Sequence, residues 1–271
     1  METDVTFSYT DQNDGLAKSL FIKTIELLTG KYVLHKSYEN ALKNMQQQNL
    51  SFWDAAIEAL CLNLIYQQSF LERIPKQGPL VVVANHPFGV VDGLIIGHLI
   101  NKARPDFKIM TNSMLCQASD LAPFLLPVDF APTKAAKKQN LLTRKLAKQQ
   151  VADGKCLVLF PAGGVSTTQG FSLKATDFPW QVFTSELIHS GRADVVPIYF
   201  HGQNSLLFQW VSQVSLTLRL SLLIHEATNK TGKDIRIDIG ETIPYDQISH
   251  IKQRQTLVKL LRDKTYALPV V

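Results

Sequence analysis

Three short, nearly continuous apolar runs constrain this chain most: Leu80–Ala84, Cys156–Phe160 and Asp194–Phe200. A strand with one wet face alternates apolar and polar residues, whereas a strand buried on both faces reads as an unbroken aliphatic run. These runs are too short for helices, and the second is stopped by Pro161. Weaker strand signals lie at Lys108–Met110 and Ile235–Ile239. Helical patterns fall between and after them, at Asp92–Asn101, Thr133–Ala152, Asp177–His189 and Ser249–Ala267. Strands alternating with helices predict an α/β fold with a mixed, largely parallel central sheet flanked by helices. In such folds the strand ends are the usual place for a ligand.

Ahead of Gly78 the pattern is helical. Leu20, Ile22, Ile25, Leu27 and Leu28 precede a possible stop at Gly30, and further helices are expected over Tyr38–Gln48 and Ser51–Glu72. Ser51 suits an N-cap, with Asp54 three residues later. The reading is an N-terminal helical extension over residues 1–77 and an α/β core over residues 78–271. The chain's 271 residues suffice for this, and 45% hydrophobic with 19% charged residues exclude a disordered chain. Cys61, Cys116 and Cys156 form no CxxC pair, which fits a reducing compartment without disulfides or zinc. None of the seven histidines falls in an HExxH spacing, so no metal site is expected. The polar start is unlike a signal peptide, and no window offers the roughly 20 apolar residues of a spanning helix. The expectation is a cytoplasmic protein, peripherally associated with the inner face of the membrane.

The first core run ends in Asn85-His86-Pro87-Phe88-Gly89-Val90-Val91-Asp92-Gly93. A buried strand thus delivers a histidine to a turn, and an aspartate follows where a helix should begin. A neutral imidazole can take a proton from a hydroxyl or amine near neutral pH. A carboxylate on the other ring nitrogen fixes the tautomer and stabilises the imidazolium. With no serine or cysteine adjacent, the nucleophile would be the acceptor substrate. Read alone, the pair fits a turn-capping histidine and an N-cap aspartate better than a catalytic pair.

At these residues the chain resembles the glycerolipid acyltransferase superfamily, which contains the 1-acylglycerol-phosphate acyltransferases. More narrowly it is similar to the hemolysin-like branch, related to enzymes that make amino-acid-containing lipids. The superfamily hallmark is His-x4-Asp. Here five residues intervene, Pro87 to Val91, and the HPxGxxDG form of that branch carries the same spacing. Leu159–Ser166 resembles the FPEGTRS block, and Val196-Pro197-Ile198 the V-P-[IV] block. Asp177–Phe183 and Phe200–Ser205 look like features of the branch. The resemblance runs from about Gly78 to about Pro244. It implies that His86 deprotonates an acceptor that attacks an acyl thioester, and that Asp92 holds His86. It also implies a substrate site built from Asn85, Gly89, Pro161, Gly163, Gly164 and Ser166. A glycine loop after a strand exposes N–H groups that can meet an anion or a developing oxyanion. The donor would be acyl carrier protein or acyl-CoA, the acceptor a lyso-lipid, and no cofactor is implied.

Two departures bear on the acceptor. Ala162 and Val165 stand where the FPEGTRS block has its glutamate and arginine, and Leu126–Phe130 lacks the arginine of the intermediate block. Losing guanidinium groups weakens a phosphomonoester site. The expectation is an acceptor without a terminal phosphate, such as a lyso-amino-acid lipid, or a lysophospholipid with a bulkier head group. The basic stretch Lys134, Lys137, Lys138, Arg144, Lys145 and Lys148 lies on one predicted helix. Lys134 and Lys138 are candidate contacts for anionic lipid, carrier protein or CoA phosphates, or part of a solvated face. A net charge of +5 with pI near 9.0 agrees with anionic partners. Without interleaved aromatics or a binding module, nucleic acid is not expected. Leu206–Val211, with Phe208 and Trp210, offers apolar anchors. Two alternatives stand: a non-catalytic lipid-binding or carrier-docking module, and a hydrolase using Ser166, against which the absence of GxSxG counts.

Overall fold

A computed structural model describes residues 31–117, 120–169, 172–214 and 216–268; the helix expected around Leu20–Leu28 lies outside them. The order opens with α1 (Lys31–Gln48), α2 (Phe52–Ala59), β1 (Asn63–Ile65), α3 (Gln68–Glu72), β2 (Leu80–Ala84), α4 (Val90–Ala103) and β3 (Phe107–Asn112). It continues with β4 (Leu125–Val128), α5 (Lys134–Ala152), β5 (Cys156–Leu159), α6 (Phe183–Gly191) and β6 (Asp194–Phe200). It closes with α7 (Leu206–Val214), α8 (Leu216–Asn229), β7 (Asp234–Ile239), α9 (Tyr245–Ile248) and α10 (Arg254–Tyr266).

The strands form one seven-stranded sheet in the order β1-β7-β6-β2-β5-β3-β4. β2 pairs in parallel with β5 on one side and β6 on the other, while β7 runs antiparallel to β6. The mixed, largely parallel sheet read from the apolar runs is therefore present. All five residues of β2 are buried, as an unbroken aliphatic run demands. Leu80, Val82 and Ala84 face one core with Trp53, Ile95 and Leu99; Val81 and Val83 face the other with Val151, Leu187 and Leu261. Helices cover both faces. Gly97 of α4 lets Trp53 of α2 lie against its backbone, since a Cβ there would come within 2.2 Å of the indole.

Several elements differ from the sequence reading. Ser51–Glu72 is not one helix. Ser51 does cap α2, with its Oγ accepting from Asp54 N at 3.2 Å. The helix then stops, Cys61 takes a positive φ of 48°, and β1 joins the sheet through β7. Residues assigned to the N-terminal extension thus contribute a strand and core side chains such as Trp53. β4 was obscured by Pro127, which lacks an N–H; it fits here because β4 is an edge strand. The helix expected over Asp177–His189 begins only at Phe183, because Asp177 and Trp180 are turned inward to bond each other. Thr133 accepts from Ala136 N at 3.0 Å and starts α5 as an N-cap.

The chain crosses from β2 to β3 on one side of the sheet and later enters β6 on β2's other side. β2 therefore marks the switch point, and the crevice beyond its C-terminal end is where this architecture places a ligand.

Candidate active site

His86 leaves β2 at that crevice. Its Nδ1 lies 2.9 Å from Asp92 Oδ2, and the same oxygen accepts the N–H groups of Phe88 at 2.8 Å and Gly89 at 2.9 Å. The longer spacing between histidine and aspartate works because Gly89 has φ 87°, a conformation glycine adopts without penalty. It turns the chain into α4, which starts at Val90 and brings Asp92 back to the His86 ring. Burial pushes the Asp92 carboxyl above its ordinary value, while His86 and the two backbone donors pull it back. Asp92 is fully buried, yet the His86 side chain keeps 18% of its surface open. The imidazole stacks on Phe160, with ring centroids 4.1 Å apart. With Nδ1 on Asp92, Nε2 is the nitrogen left for a substrate proton.

Two other histidines approach aspartates, His98 with Asp54 at 2.8 Å and His201 with Asp238. A histidine–aspartate pair alone is therefore not a site in this molecule. His86 differs in sitting at the switch point, against a glycine-rich loop.

That loop is tied to His86 through its backbone. Ser166 N–H donates to the His86 carbonyl at 2.7 Å, and Gly163 N–H turns back to Phe160 O at 3.0 Å. Gly163 has φ 69°. Pro161 O accepts Gln181 N–H at 2.9 Å. Among the described residues, the N–H groups of Gly164 and Val165 donate to no other backbone carbonyl. Ser166 Oγ is buried and donates to Asp177 Oδ1 at 2.5 Å, away from the imidazole. It has no contact with His86 that would make it a hydrolytic nucleophile. Cys156 is no nucleophile either, since burial pushes its thiol up to about 12.

The remaining sequence candidates separate. Gly89 belongs to the histidine turn. Asn85 does not face a substrate: its Nδ2 donates to Phe200 O at 2.9 Å, and its Oδ1 accepts Phe200 N–H at 2.7 Å. The expected binding residue is instead a latch between the ends of β2 and β6. Lys134 and Lys138 are exposed on α5. α5 follows β4, three strands from β2, or about 14 Å at ordinary strand spacing. They share the sheet edge of His86 but not its immediate surroundings.

Two residues were missed by sequence reasoning. Asp177 is a buried hub. It accepts His86 N–H at 3.1 Å, the Ser166 hydroxyl, and Trp180 Nε1–H at 2.9 Å. Its own N–H donates to Tyr266 Oη at 2.9 Å, a phenol that burial keeps well above its ordinary pKa. The signal was the adjacency of an aspartate, a proline and a tryptophan in Asp177–Trp180. The second is Arg219, whose Nη2 donates to Val165 O at 2.5 Å. Its signal was a single charge within Leu216–Ile224. Beside the site, Val90, Gly93 and Leu94 of α4 line an apolar cleft with Trp53, Ile109 and Leu125.

A histidine–aspartate pair at a strand end, a glycine loop and an adjoining apolar cleft thus meet at the switch point of an α/β sheet. The family described as Acyltransferase matches residues 8–270. The chain belongs to that family, within the glycerolipid acyltransferase superfamily. Among curated relatives, the lyso-glycine lipid O-acyltransferase of Phocaeicola vulgatus is 26% identical over 248 residues, covering 88% of this chain and 85% of the relative. The protein of the same name from Bacteroides thetaiotaomicron is 25% identical, covering 88% of each chain. Among solved structures, the 1-acyl-sn-glycerophosphate (LPA) acyltransferase PlsC from Thermotoga maritima superposes with TM-score 0.52 at 15% identity, covering 92% of this chain and 93% of that one. That likeness concerns the fold.

Asp177→Asn is expected to replace an acceptor oxygen with a donor facing other donors. It should lower stability by about 1–3 kcal/mol in urea unfolding and reduce kcat more than it raises KM.

Proposed function

We propose that this enzyme moves a fatty acyl chain from a thioester, acyl carrier protein or acyl-CoA, to a hydroxyl of a lyso-lipid whose head group is an amino acid. The observation that carries the proposal is the His86–Asp92 pair at the switch point, with the acid fully buried and the imidazole edge open. The relatives named for lyso-glycine lipids support the acceptor class. So do Ala162 and Val165, apolar where a phosphate site would need charge.

In this mechanism His86 Nε2 takes the acceptor's hydroxyl proton as its oxygen attacks the thioester carbonyl. Asp92 holds the Nδ1–H tautomer and balances the imidazolium. The tetrahedral oxyanion meets the unspent N–H groups of Gly164 and Val165. Collapse forms the ester and expels the thiolate, which recovers the proton from His86. The cleft lined by α4 takes an alkyl chain, since its walls are aliphatic and aromatic. No cofactor enters.

The test is transfer of a labelled acyl group from both donors to a panel of lyso-lipids. His86→Ala should abolish transfer, and Asp92→Asn should reduce kcat by at least about 100-fold, with both proteins folded. Unchanged transfer in His86→Ala would remove the base. No transfer in the wild type would favour a lipid-binding or carrier-docking module on this fold.

Contact with a membrane surface is part of the same proposal. No helix among the described residues is long and apolar enough to cross a membrane. α5 and α7 follow β4 and β6, which run parallel to β2, so both helices start on the sheet edge of His86. That edge exposes Leu206, Leu207 and Trp210 in the first turns of α7, and further along α5 Leu141 and Leu142 are exposed beside Lys138 and Lys145. Exposed aliphatic and indole groups next to lysines suit an anionic lipid interface. Leu206→Ser with Trp210→Ser should release the protein from anionic vesicles in a sedimentation assay, and an unchanged bound fraction would refute this contact.

A further inference from the structure

Arg219 is the anomaly of the site. Its side chain lies within α8 and is 91% buried, at 9% exposure. A guanidinium has five N–H donors and strongly resists deprotonation. Among the described residues, one hydrogen bond is seen, to Val165 O, with the Phe178 ring 5.3 Å away and no carboxylate paired to it. A buried cation without a counter-ion is strongly unfavourable, and burial lowers the Arg219 pKa. An anion supplied by a ligand would remove that penalty.

Its position ties it to catalysis. The Val165 carbonyl that receives Arg219 and the Ser166 N–H that donates to His86 O belong to one peptide group. By standard bond lengths Arg219 Nη2 is within about 8 Å of the His86 carbonyl oxygen. One helical turn on, Leu223 packs at the Gly89 turn, where a Cβ would meet it at 3.1 Å. Gly164 lies directly beside the guanidinium, since a Cβ there would sit at contact distance, 3.5 Å from Nη2.

We infer that Arg219 holds the head-group carboxylate of the acceptor while His86 faces its hydroxyl. This rests on the reading of an amino-acid lyso-lipid as acceptor. A single cation matches a carboxylate monoanion, and its planar fork matches the two oxygens. A phosphomonoester carries nearly two charges at neutral pH, and Ala162 and Val165 offer none in return. The charge also fixes how the amino acid is joined to the lipid. Glycine linked through its nitrogen keeps a carboxylate, which Arg219 binds; glycine linked through its carboxyl keeps an amine, which Arg219 repels.

The experiment compares an N-acyl glycine bearing a chain hydroxyl with its methyl ester, using wild type, Arg219→Gln and Arg219→Lys. Gln keeps a donor for Val165 O but loses the charge. Wild type should favour the acid over the ester by about 10- to 100-fold in kcat/KM, mostly through KM. Arg219→Gln should lose that preference with the donor KM unchanged, and Arg219→Lys should keep part of it. Equal use of acid and ester by the wild type, a preference surviving in Arg219→Gln, or a rise in donor KM instead would each overturn the assignment. Calorimetric binding of acid and ester to the wild type separates this from the acyl-transfer reading. If neither acceptor turns over, preferential binding of the acid still supports the Arg219 site, and equal binding defeats it.

Discussion

A single carboxylate oxygen organises this molecule's chemistry. Asp92 Oδ2 takes His86 Nδ1 and two backbone N–H groups at once, fully removed from water. Charge-assisted hydrogen bonds shorten and strengthen in such surroundings, so the turn from Phe88 to Asp92 and the imidazole orientation are set together. Neither can move without leaving buried donors unmet. The carbonyl of His86 in turn fixes the glycine loop through Ser166, and its N–H is fixed by Asp177. His86, Asp92 and the loop are thus held by backbone as much as by side chains. Geometry of that kind suits the proposed transfer, in which the hydroxyl, the thioester carbonyl and the imidazole must align within about half an ångström.

The sheet's centre was legible in the sequence because burial on both faces leaves an unmistakable pattern. Leu80–Ala84, Cys156–Leu159 and Asp194–Phe200 are strands. The edges were not, because their residues answer to local circumstances. Asn63–Ile65 is three residues long and pairs with a strand some 170 residues away. Leu125–Val128 hides behind a proline that only an edge tolerates. His86, Asp92 and the glycines could be read, since a strand, a turn and a helix start lie within nine residues. Asp177 and Arg219 could not, since their importance comes from tertiary contact with a loop that precedes both in sequence. Asn85 was misplaced for the same reason: adjacent to the base in sequence, its amide satisfies the end of a neighbouring strand.

The proposed acceptor would be accommodated by a change in where the site carries its charge. The glycine loop keeps its turn but carries apolar side chains where phosphate recognition would need cations. A guanidinium nevertheless reaches the same loop from α8. Charge removed from one element and supplied by another leaves the base and its acid untouched. In the proposed reading, head-group selection and proton transfer are separable functions of neighbouring residues, and the apolar cleft along α4 is separate from both.

In the proposed mechanism Asp92 holds His86 with its proton on Nδ1 and a free lone pair on Nε2. Nitrogen-15 spectra of histidine-labelled protein at neutral pH read this directly. The account predicts an Nδ1–H tautomer for His86 that is lost, or mixed with the other form, in Asp92→Asn. A His86 protonated on Nε2, or a tautomer indifferent to Asp92→Asn, would contradict it.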